Sequence, residues 1–240
     1  MTRNPRIACV MLVNGRPAMV RRAVACYRAQ TYEPRSLLLY DTGSPWIREY
    51  DPDFDETDIT MIMRNGRGQT IGQMRNHANE LAISECGADI IAHWDSDDWS
   101  APTRLEEQLG LLERAGCAVV GYNDGLFWNG REAWLYKASG RPFVLGASLC
   151  YMREAWQKKA FQALPKRPGD RGEDSAWTFE WAAAGELTSE TSLQPEYGGG
   201  PRMLFAIHEG NSQKYDVENH PLNWQRAPGW NDYCARIMSL

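Results

Sequence analysis

The hydrophobic positions of this chain fall into short runs separated by amphipathic stretches. Ile7 to Val13, Ser36 to Tyr40 and Ile59 to Met63 are apolar runs of strand length. After the first run, the turn Asn14-Gly15-Arg16-Pro17 leads into apolar side chains at helical spacing up to Tyr27. A strand, a helix and a second strand in this order predict parallel strands joined by a right-handed crossover.

The same alternation continues to about residue 207, with one interruption. Two short apolar runs on either side of Asn129-Gly130 predict an antiparallel hairpin, because this dipeptide suits a two-residue turn. The other predicted elements are helices at Gln73 to Ser84, Pro102 to Gly116, Arg153 to Ala163 and after Glu173, and strands at Ala118 to Gly121, Phe143 to Tyr151 and Met203 to Ile207, the last strand. The pattern predicts an α/β fold with a small antiparallel insertion.

One apolar run ends abruptly in acids. The run that starts at Asp89 is followed by Asp95, Asp97 and Asp98. Carboxylates are not buried unpaired, so these three belong at the exit of a buried strand. Ligands of open α/β sheets bind at that edge, and clustered oxygen ligands suit Mg²⁺ or Mn²⁺ carrying a phosphate. The cluster therefore predicts a site for a metal ion and a diphosphate.

Composition narrows the class of protein. A chain of 240 residues with 43% hydrophobic content is large enough for one sizeable domain. Its net charge of −5 argues against a protein that holds nucleic acid through a global basic surface. The six cysteines contain no CxxC pair, and no signal-peptide core or apolar stretch of transmembrane length is visible. We expect reduced cysteines, no transmembrane segment and a cytoplasmic location.

Several short motifs occur in an order that is more specific than any one of them. They are Gln30-Thr31-Tyr32, Asp41-Thr42-Gly43-Ser44, Arg75-Asn76, Asp95-Ser96-Asp97-Asp98 (a DxD motif), Gly146-Ala147-Ser148-Leu149, Glu173-Asp174 and His208. In this order the chain resembles family 2 glycosyltransferases of the GT-A fold over roughly residues 5–210. It departs from the family pattern at Thr42, where a second acid is usual, and at Met74, where a small alanine is usual.

The resemblance implies a fold, and it implies that different parts of the chain bind the donor and the acceptor. The fold is a Rossmann-like α/β/α sandwich with a mostly parallel central sheet, formed by a single domain over residues 1–240. Residues of about 1–100 would bind the nucleotide sugar, those of about 101–210 the acceptor, and 211–240 would form a C-terminal tail.

The resemblance also assigns roles on the donor side. Asp97 holds the metal, Asp95 contacts the metal and the ribose or donor sugar, and Asp98 contributes to the same site. Asp41 accepts hydrogen bonds from the nucleobase or ribose, and Arg75 pairs with the diphosphate or with the acidic cluster. The structural alternatives are that Asp98 only caps the next helix, that Asp41 only starts a turn, and that Arg75 is a surface arginine.

On the acceptor side the resemblance makes Asp174 the base that deprotonates the attacking hydroxyl. The alternative is that Asp174 is only a helix N-cap. His208 would supply an imidazole to the metal, or else be a structural hydrogen-bonding residue.

Together these features predict a metal-dependent inverting glycosyltransferase that uses Mn²⁺ or Mg²⁺ and a nucleotide-diphosphate sugar, with a UDP-sugar as the first expectation. A glycan or lipid-linked glycan is the expected acceptor, and a nucleic acid acceptor stays open. Two rivals remain: a non-catalytic nucleotide- or sugar-binding module on the same fold, and a phosphatase of the haloacid dehalogenase type. The second rival is disfavoured because Trp99 stands where that class needs Thr or Val.

Overall fold

The computed structural model describes residues 4–42, 58–64, 66–138, 142–164, 172–193, 200–211, 217 and 223–239. The helices are α1 (Pro17–Arg28), α2 (Ile71–Ser84), α3 (Arg104–Ala115), α4 (Arg153–Lys158), α5 (Glu173–Ala183) and α6 (Asn231–Met238). The strands are β1 (Ile7–Val13), β2 (Arg35–Asp41), β3 (Ile59–Met63), β4 (Ile90–His93), β5 (Trp99–Ser100), β6 (Val119–Tyr122), β7 (Asp124–Trp128), β8 (Ala133–Lys137), β9 (Cys150–Met152), β10 (Leu187–Glu190), β11 (Met203–Ala206) and β12 (Trp224–Arg226).

The central sheet has seven strands in the order β10-β6-β9-β4-β1-β2-β3. Every pairing in it is parallel except the two that β9 makes with β4 and β6. The predicted mostly parallel sheet is confirmed. The sequence analysis missed β10, which has only four residues and one buried side chain.

Side chains of β1 alternate between two helical layers. Ile7, Cys9 and Met11 pack in a core with α1 and α3, whereas Ala8 and Val10 pack in a second core with α2 and α5. Both faces of the sheet are therefore covered, as a parallel sheet requires. The α/β/α sandwich follows from this alternation of apolar side chains.

The strand order reverses between β1 and β4. From β1 the chain continues outward to β2 and β3, and then returns to place β4 on the other side of β1. A reversal of this kind opens a crevice outside the carboxyl ends of the two strands, where ligands of such sheets bind. The acidic cluster after β4 therefore lies at the crevice.

The predicted hairpin exists, as β7 and β8, but it belongs to a second sheet that is larger than expected. This sheet has the order β12-β8-β7-β11-β5. Residues 203–206 form β11 as predicted, yet this strand is not the last, because β12 pairs with β8 farther along the chain. Strands as short as β5 and β12 carry no periodicity and form only because distant partners offer hydrogen bonds.

The segment before β9 is not a strand, contrary to the prediction for residues 143–151. Gly146–Ser148 forms a turn of 3₁₀ helix, and only Cys150–Met152 is extended. The Ser148 hydroxyl donates to the Leu145 carbonyl (2.7 Å) and accepts the Tyr122 amide (2.8 Å). The bond to Leu145 is local, whereas the bond from Tyr122 joins the turn to β6. Both take the place of ladder hydrogen bonds, and the chain bends here.

Helix α4 ends five residues earlier than predicted. The chain turns extended at Lys159, and the Asn76 side chain then binds both the amide and the carbonyl of Phe161 (2.9 and 2.8 Å). A residue whose backbone groups are held by a distant amide does not continue a helix. The end of α4 is therefore set by α2, which carries Asn76.

A fully buried arginine joins three elements behind the crevice. Arg104, the first residue of α3, is 0% exposed and stacks on Trp94 at 4.9 Å. Its guanidinium donates to the carbonyls of His93 (2.8 Å) and Ala147 (3.0 Å), the Ser100 hydroxyl (3.0 Å) and the Gln108 amide oxygen (3.1 Å). These neutral oxygen acceptors compensate the buried charge of Arg104. Because they belong to different elements, their hydrogen bonds to Arg104 fix β4, the 3₁₀ turn and α3 relative to one another.

We predict that Arg104→Met lowers the free energy of unfolding by about 3–5 kcal/mol, because it leaves buried carbonyls without donors. Urea unfolding followed by circular dichroism measures this change. The matched control is Arg153→Met, whose half-exposed ion pairs with Asp89 and Glu154 should contribute less than about 1 kcal/mol. Equal stability of the two variants would contradict the assignment.

Candidate active site

The three carboxylates after β4 converge. Asp95, Asp97 and Asp98 each offer an oxygen, and these atoms all lie within 4.8 Å of one another. Asp98 is buried and accepts the Ala206 amide at 2.9 Å. The alternative in which Asp98 only caps the next helix is wrong, since Thr103 precedes α3 at the cap position. Asp98 instead ties the cluster to β11.

Electrostatics in the cluster favour a bound cation. Burial raises the pKa of Asp98 well above its usual range, and the charges of Asp97 and Asp95 raise it further. The pKa of Asp95 is also raised, by burial and by Asp97, although Arg75 opposes the shift. A divalent cation would relieve this repulsion, and an all-oxygen donor set suits Mg²⁺ or Mn²⁺. The residues therefore fit the metal that the sequence predicts.

His208 lies beside the cluster, where the sequence analysis placed it. Its Nε2 is 2.9 Å from Asp97 Oδ2, and its Nδ1 accepts the Gly210 amide at 3.0 Å. Because Nδ1 is an acceptor, the proton of the neutral ring lies on Nε2 and is donated to Asp97. His208 is thus a hydrogen-bond partner of Asp97. Its role as a metal ligand stays a prediction.

Arg16 belongs to the site but was not among the predicted residues. Its Nη1 donates to Asp97 Oδ2 (2.9 Å) and lies 3.2 Å from His208 Nε2, and its Nη2 donates to the Ser96 hydroxyl (3.2 Å). The sequence feature that could have pointed to Arg16 is its position in the turn after β1, because the first βα turn of such folds borders the crevice.

Arg75 is buried in α2 and not on the surface, so the surface alternative is wrong. Its Nε donates to Glu173 (3.0 Å), and its Nη2 lies 3.5 Å from Asp95 Oδ1. Burial alone would lower the pKa of Arg75, but Asp95, Glu173 and Asp174 outweigh it and raise the pKa. The guanidinium is a permanent cation between the acidic cluster and the start of α5. Its contact with a diphosphate stays a prediction.

Asp174 is the second residue of α5, and Gly172 occupies the N-cap position. The N-cap alternative for Asp174 is therefore wrong. Burial raises the pKa of this carboxyl to about 6, Glu173 adds to the rise and Arg75 opposes it. A carboxylate with a pKa near the working pH is suited to accept a proton.

Gly146 makes the position of Asp174 possible. A Cβ atom on Gly146 would lie 1.6 Å from Asp174 Oδ2, and one on Gly172 would lie 2.6 Å from Oδ1. The carboxylate thus rests directly on the backbone of the 3₁₀ turn. The glycine that the sequence analysis assigned to a strand is required here for close approach, which is a different use of the same residue.

Asp41 ends β2 and is 2% exposed, opposite Val13 of β1 in the sheet register. Thr42 then bonds back to the Val13 carbonyl through its amide (2.9 Å) and its hydroxyl (3.0 Å). Asp41 therefore lies at the carboxyl edge of the sheet. Strand β1 separates it from β4, which carries the acidic cluster at its end. Gly43 and Ser44 lie outside the described residues. Nucleobase recognition by Asp41 stays a prediction.

Comparison with known proteins bears on this arrangement. The family model described as Glycosyl transferase family 2 matches residues 8–171, which is more than half of the chain and contains the acidic cluster. The chain belongs to glycosyl transferase family 2. Family membership removes the phosphatase alternative. The chain is also 24% identical over 119 residues to EpsE of Bacillus subtilis (strain 168), a protein named provisionally as a glycosyltransferase.

Solved structures confirm the GT-A fold for this family 2 member. TarS 1-349 of S. aureus superposes with a TM-score of 0.64 at 12% identity, over 84% of this chain and 60% of that one. The complex of TarS 1-349 with UDP-GlcNAc superposes with a TM-score of 0.63. The mannosyltransferase PcManGT from Pyrobaculum calidifontis, in complex with GDP-Man and Mn²⁺, gives 0.63 at 11% identity, over 99% and 74% of the two chains.

The chain is shorter than its relatives. It spans 41% of the length of EpsE and 60% of the TarS fragment. In the described part of the chain, no helix is both long and apolar enough to cross a membrane.

We predict that Gly146→Ala displaces the carboxylate of Asp174 by an ångström or more. A reaction in which this carboxylate accepts a proton should then slow at least about 100-fold, because the group is misplaced. The fold should survive, since the three atoms nearest to the added Cβ all belong to the Asp174 side chain and none to the backbone. Turnover of a nucleotide sugar, together with a thermal melt, measures both effects. Full activity of this variant would show that Asp174 need not contact the 3₁₀ turn.

Proposed function

We propose that this protein transfers a sugar from a nucleotide-diphosphate sugar to a hydroxyl acceptor, with inversion and with a divalent cation. The observation that carries this proposal is a single charged path across the crevice: the acidic cluster contacts Arg75, Arg75 contacts Glu173, and Asp174 follows Glu173 at the start of α5. A cation site and a proton acceptor on one crevice are the two parts that such a transfer needs.

On the donor side, Asp97 and Asp95 are the proposed metal ligands, assisted by His208, and Asp98 fixes their loop. A bound Mn²⁺ or Mg²⁺ would neutralise charge on the departing diphosphate. Asp41 is the proposed acceptor of hydrogen bonds from the nucleoside. The complexes of TarS with UDP-GlcNAc and of PcManGT with GDP-Man and Mn²⁺ support a nucleotide sugar as donor, and we propose a UDP-sugar first.

On the acceptor side, Asp174 takes the proton of the acceptor hydroxyl while that oxygen attacks the anomeric carbon and the bond to the diphosphate breaks. The configuration at carbon inverts because attack and departure occur on opposite faces. We propose a glycan or lipid-linked glycan as acceptor. We also propose that residues 1–100 serve mainly the donor and residues 101–210 mainly the acceptor, within a single domain.

Two substitutions separate the two halves of the mechanism. In Mn²⁺, UDP or GDP should raise the melting temperature of the wild type and of Asp174→Asn, but not that of Asp97→Ala, because only the last lacks the metal ligand. Asp174→Asn should nevertheless lose about 10²–10⁴-fold in turnover of the matching nucleotide sugar, as expected for a missing base.

The outcomes discriminate among functions. If neither nucleotide stabilises the wild type in Mn²⁺, or if Asp97→Ala keeps full activity, the proposal is wrong. If nucleotides bind but no nucleotide sugar is hydrolysed or transferred, the protein is the non-catalytic binding module.

A pH dependence follows from Asp174. The carboxylate is the reactive form, and burial raises its pKa to about 6, so kcat should fall about tenfold between pH 7 and pH 5. Saturating Mn²⁺ and donor are required, because the carboxyls of Asp95 and Asp98 also have raised pKa values. The melting shift caused by the nucleotide, measured at each pH, controls for loss of binding. A flat kcat over this range would argue against Asp174 as the base.

A further inference from the structure

We propose that Arg16 and a divalent cation compete for the carboxylate of Asp97, and that Arg16 turns to the diphosphate when the cation takes its place. Both halves of this inference rest on the proposed function: the first on its cation site at Asp97, and the second on its nucleotide-diphosphate donor. Arg16 would then be a second cation of the donor site, acting alongside the metal ion.

The contacts of Asp97 carry the first step. A single atom, Oδ2, accepts from Arg16 Nη1 at 2.9 Å and from His208 Nε2 at 2.9 Å, with Asn211 Nδ2 at 3.5 Å. A carboxylate oxygen has two lone pairs, so these donors use its capacity fully. A divalent cation bound to the same oxygen would also be repelled by the guanidinium. Arg16 and the cation therefore compete.

The backbone supplies an independent observation. Arg16 has φ 62° and ψ 54°, and among the described residues it is the one non-glycine residue with positive φ. The left-handed conformation costs free energy for a residue with a Cβ atom, and it persists where surrounding contacts compensate. No side chain caps the helix that starts at the next residue. The compensation that the structure shows comes from the contacts of the guanidinium with Asp97 and Ser96 and from the amides of Met19 and Val20, which donate to the Arg16 carbonyl.

Position and exposure carry the second step. Arg16 follows β1 and the acidic cluster follows β4, so both border the crevice where the strand order reverses. The Arg16 side chain is 30% exposed, whereas Arg75 is 8% exposed and held by Glu173. Arg22, which also touches the cluster, is held between the carbonyls of Asp97 and Met238 at 2.6 Å each. Of these three arginines, Arg16 is therefore the one able to turn toward a ligand.

The consequence is coupling between the two ligands. A guanidinium fork matches the oxygens of a phosphate, so a diphosphate offers Arg16 a partner that replaces Asp97. When the cation binds alone, it has to displace Arg16, and the displaced guanidinium gains no new partner. The cation therefore binds weakly. With the diphosphate present, the displaced guanidinium is paired again, so each ligand strengthens the binding of the other by the same factor.

The test is calorimetric titration of Arg16→Met and wild type, first with Mn²⁺ alone and then with UDP and GDP in saturating Mn²⁺. We expect Arg16→Met to bind Mn²⁺ alone at least about 5-fold more tightly and the bound nucleotide at least about 5-fold more weakly, which is the lower end of typical couplings. Arg16→Lys should keep Mn²⁺ binding weak, because it keeps the charge. Arg16→Gly, which suits the left-handed backbone, should repeat the Mn²⁺ result without strain.

Arg153→Met is the matched control, since it makes the same chemical change on α4, where Arg153 contacts Asp89 and Glu154. It should leave both titrations unchanged. If Arg16→Met and Arg16→Gly bind Mn²⁺ alone no more tightly than wild type, competition at Asp97 is wrong. If the variants bind Mn²⁺ more tightly but bind both nucleotides as tightly as wild type does, the proposed movement of Arg16 to the diphosphate is wrong. Failure of wild type to bind UDP and GDP would instead overturn the proposed function, and the Mn²⁺ comparison would still stand.

Discussion

Mutual repulsion among three carboxylates at the end of β4 is the constraint on which the rest of the site depends. Burial of Asp95 and Asp98 increases this repulsion, and arginines placed around the cluster oppose it. Arg75 contacts Asp95 from α2, Arg16 contacts Asp97 from the turn after β1, and Arg104 lies buried beneath. The positive charges come from three different elements, so the cluster is stable only in the assembled fold.

The same charges connect the two sides of the crevice. Arg75 lies between Asp95 and Glu173, and the residue after Glu173 is Asp174, whose carboxylate rests on the backbone of Gly146. Burial raises the pKa values of Asp95, Asp98 and Asp174, but the second cause of the rise differs. Asp97 raises the pKa values of Asp95 and Asp98 further, whereas Glu173 raises that of Asp174, which reaches about 6. A cation would relieve the repulsion within the cluster, and the carboxylate of Asp174 is suited to accept a proton.

The second sheet and the last helix stabilise the loop that carries the acids. Asp98 accepts the amide of Ala206 in β11, and Arg22 joins the Asp97 carbonyl to the carbonyl of Met238 at the end of α6. Helix α6 packs through Cys234 against Leu204 of β11 and Leu126 of β7 in the second sheet. The residues predicted to form a tail are thus partly integrated into the fold, and two of their partners, Arg22 and Leu126, lie more than 100 positions earlier in the sequence.

The sequence by itself determined the α/β class, the mostly parallel central sheet, the acidic cluster, the Glu173-Asp174 pair and the family, because apolar periodicity and motif order are local properties. Only the tertiary structure decided the second sheet, the 3₁₀ turn at Gly146, the burial of Arg75 and the contact of Arg16 with Asp97. These depend on pairings between distant residues, and short strands such as β5 and β12 have no pattern of their own. Whether an arginine is a surface residue or the counter-ion of a buried cluster is likewise decided by the elements that fold around it.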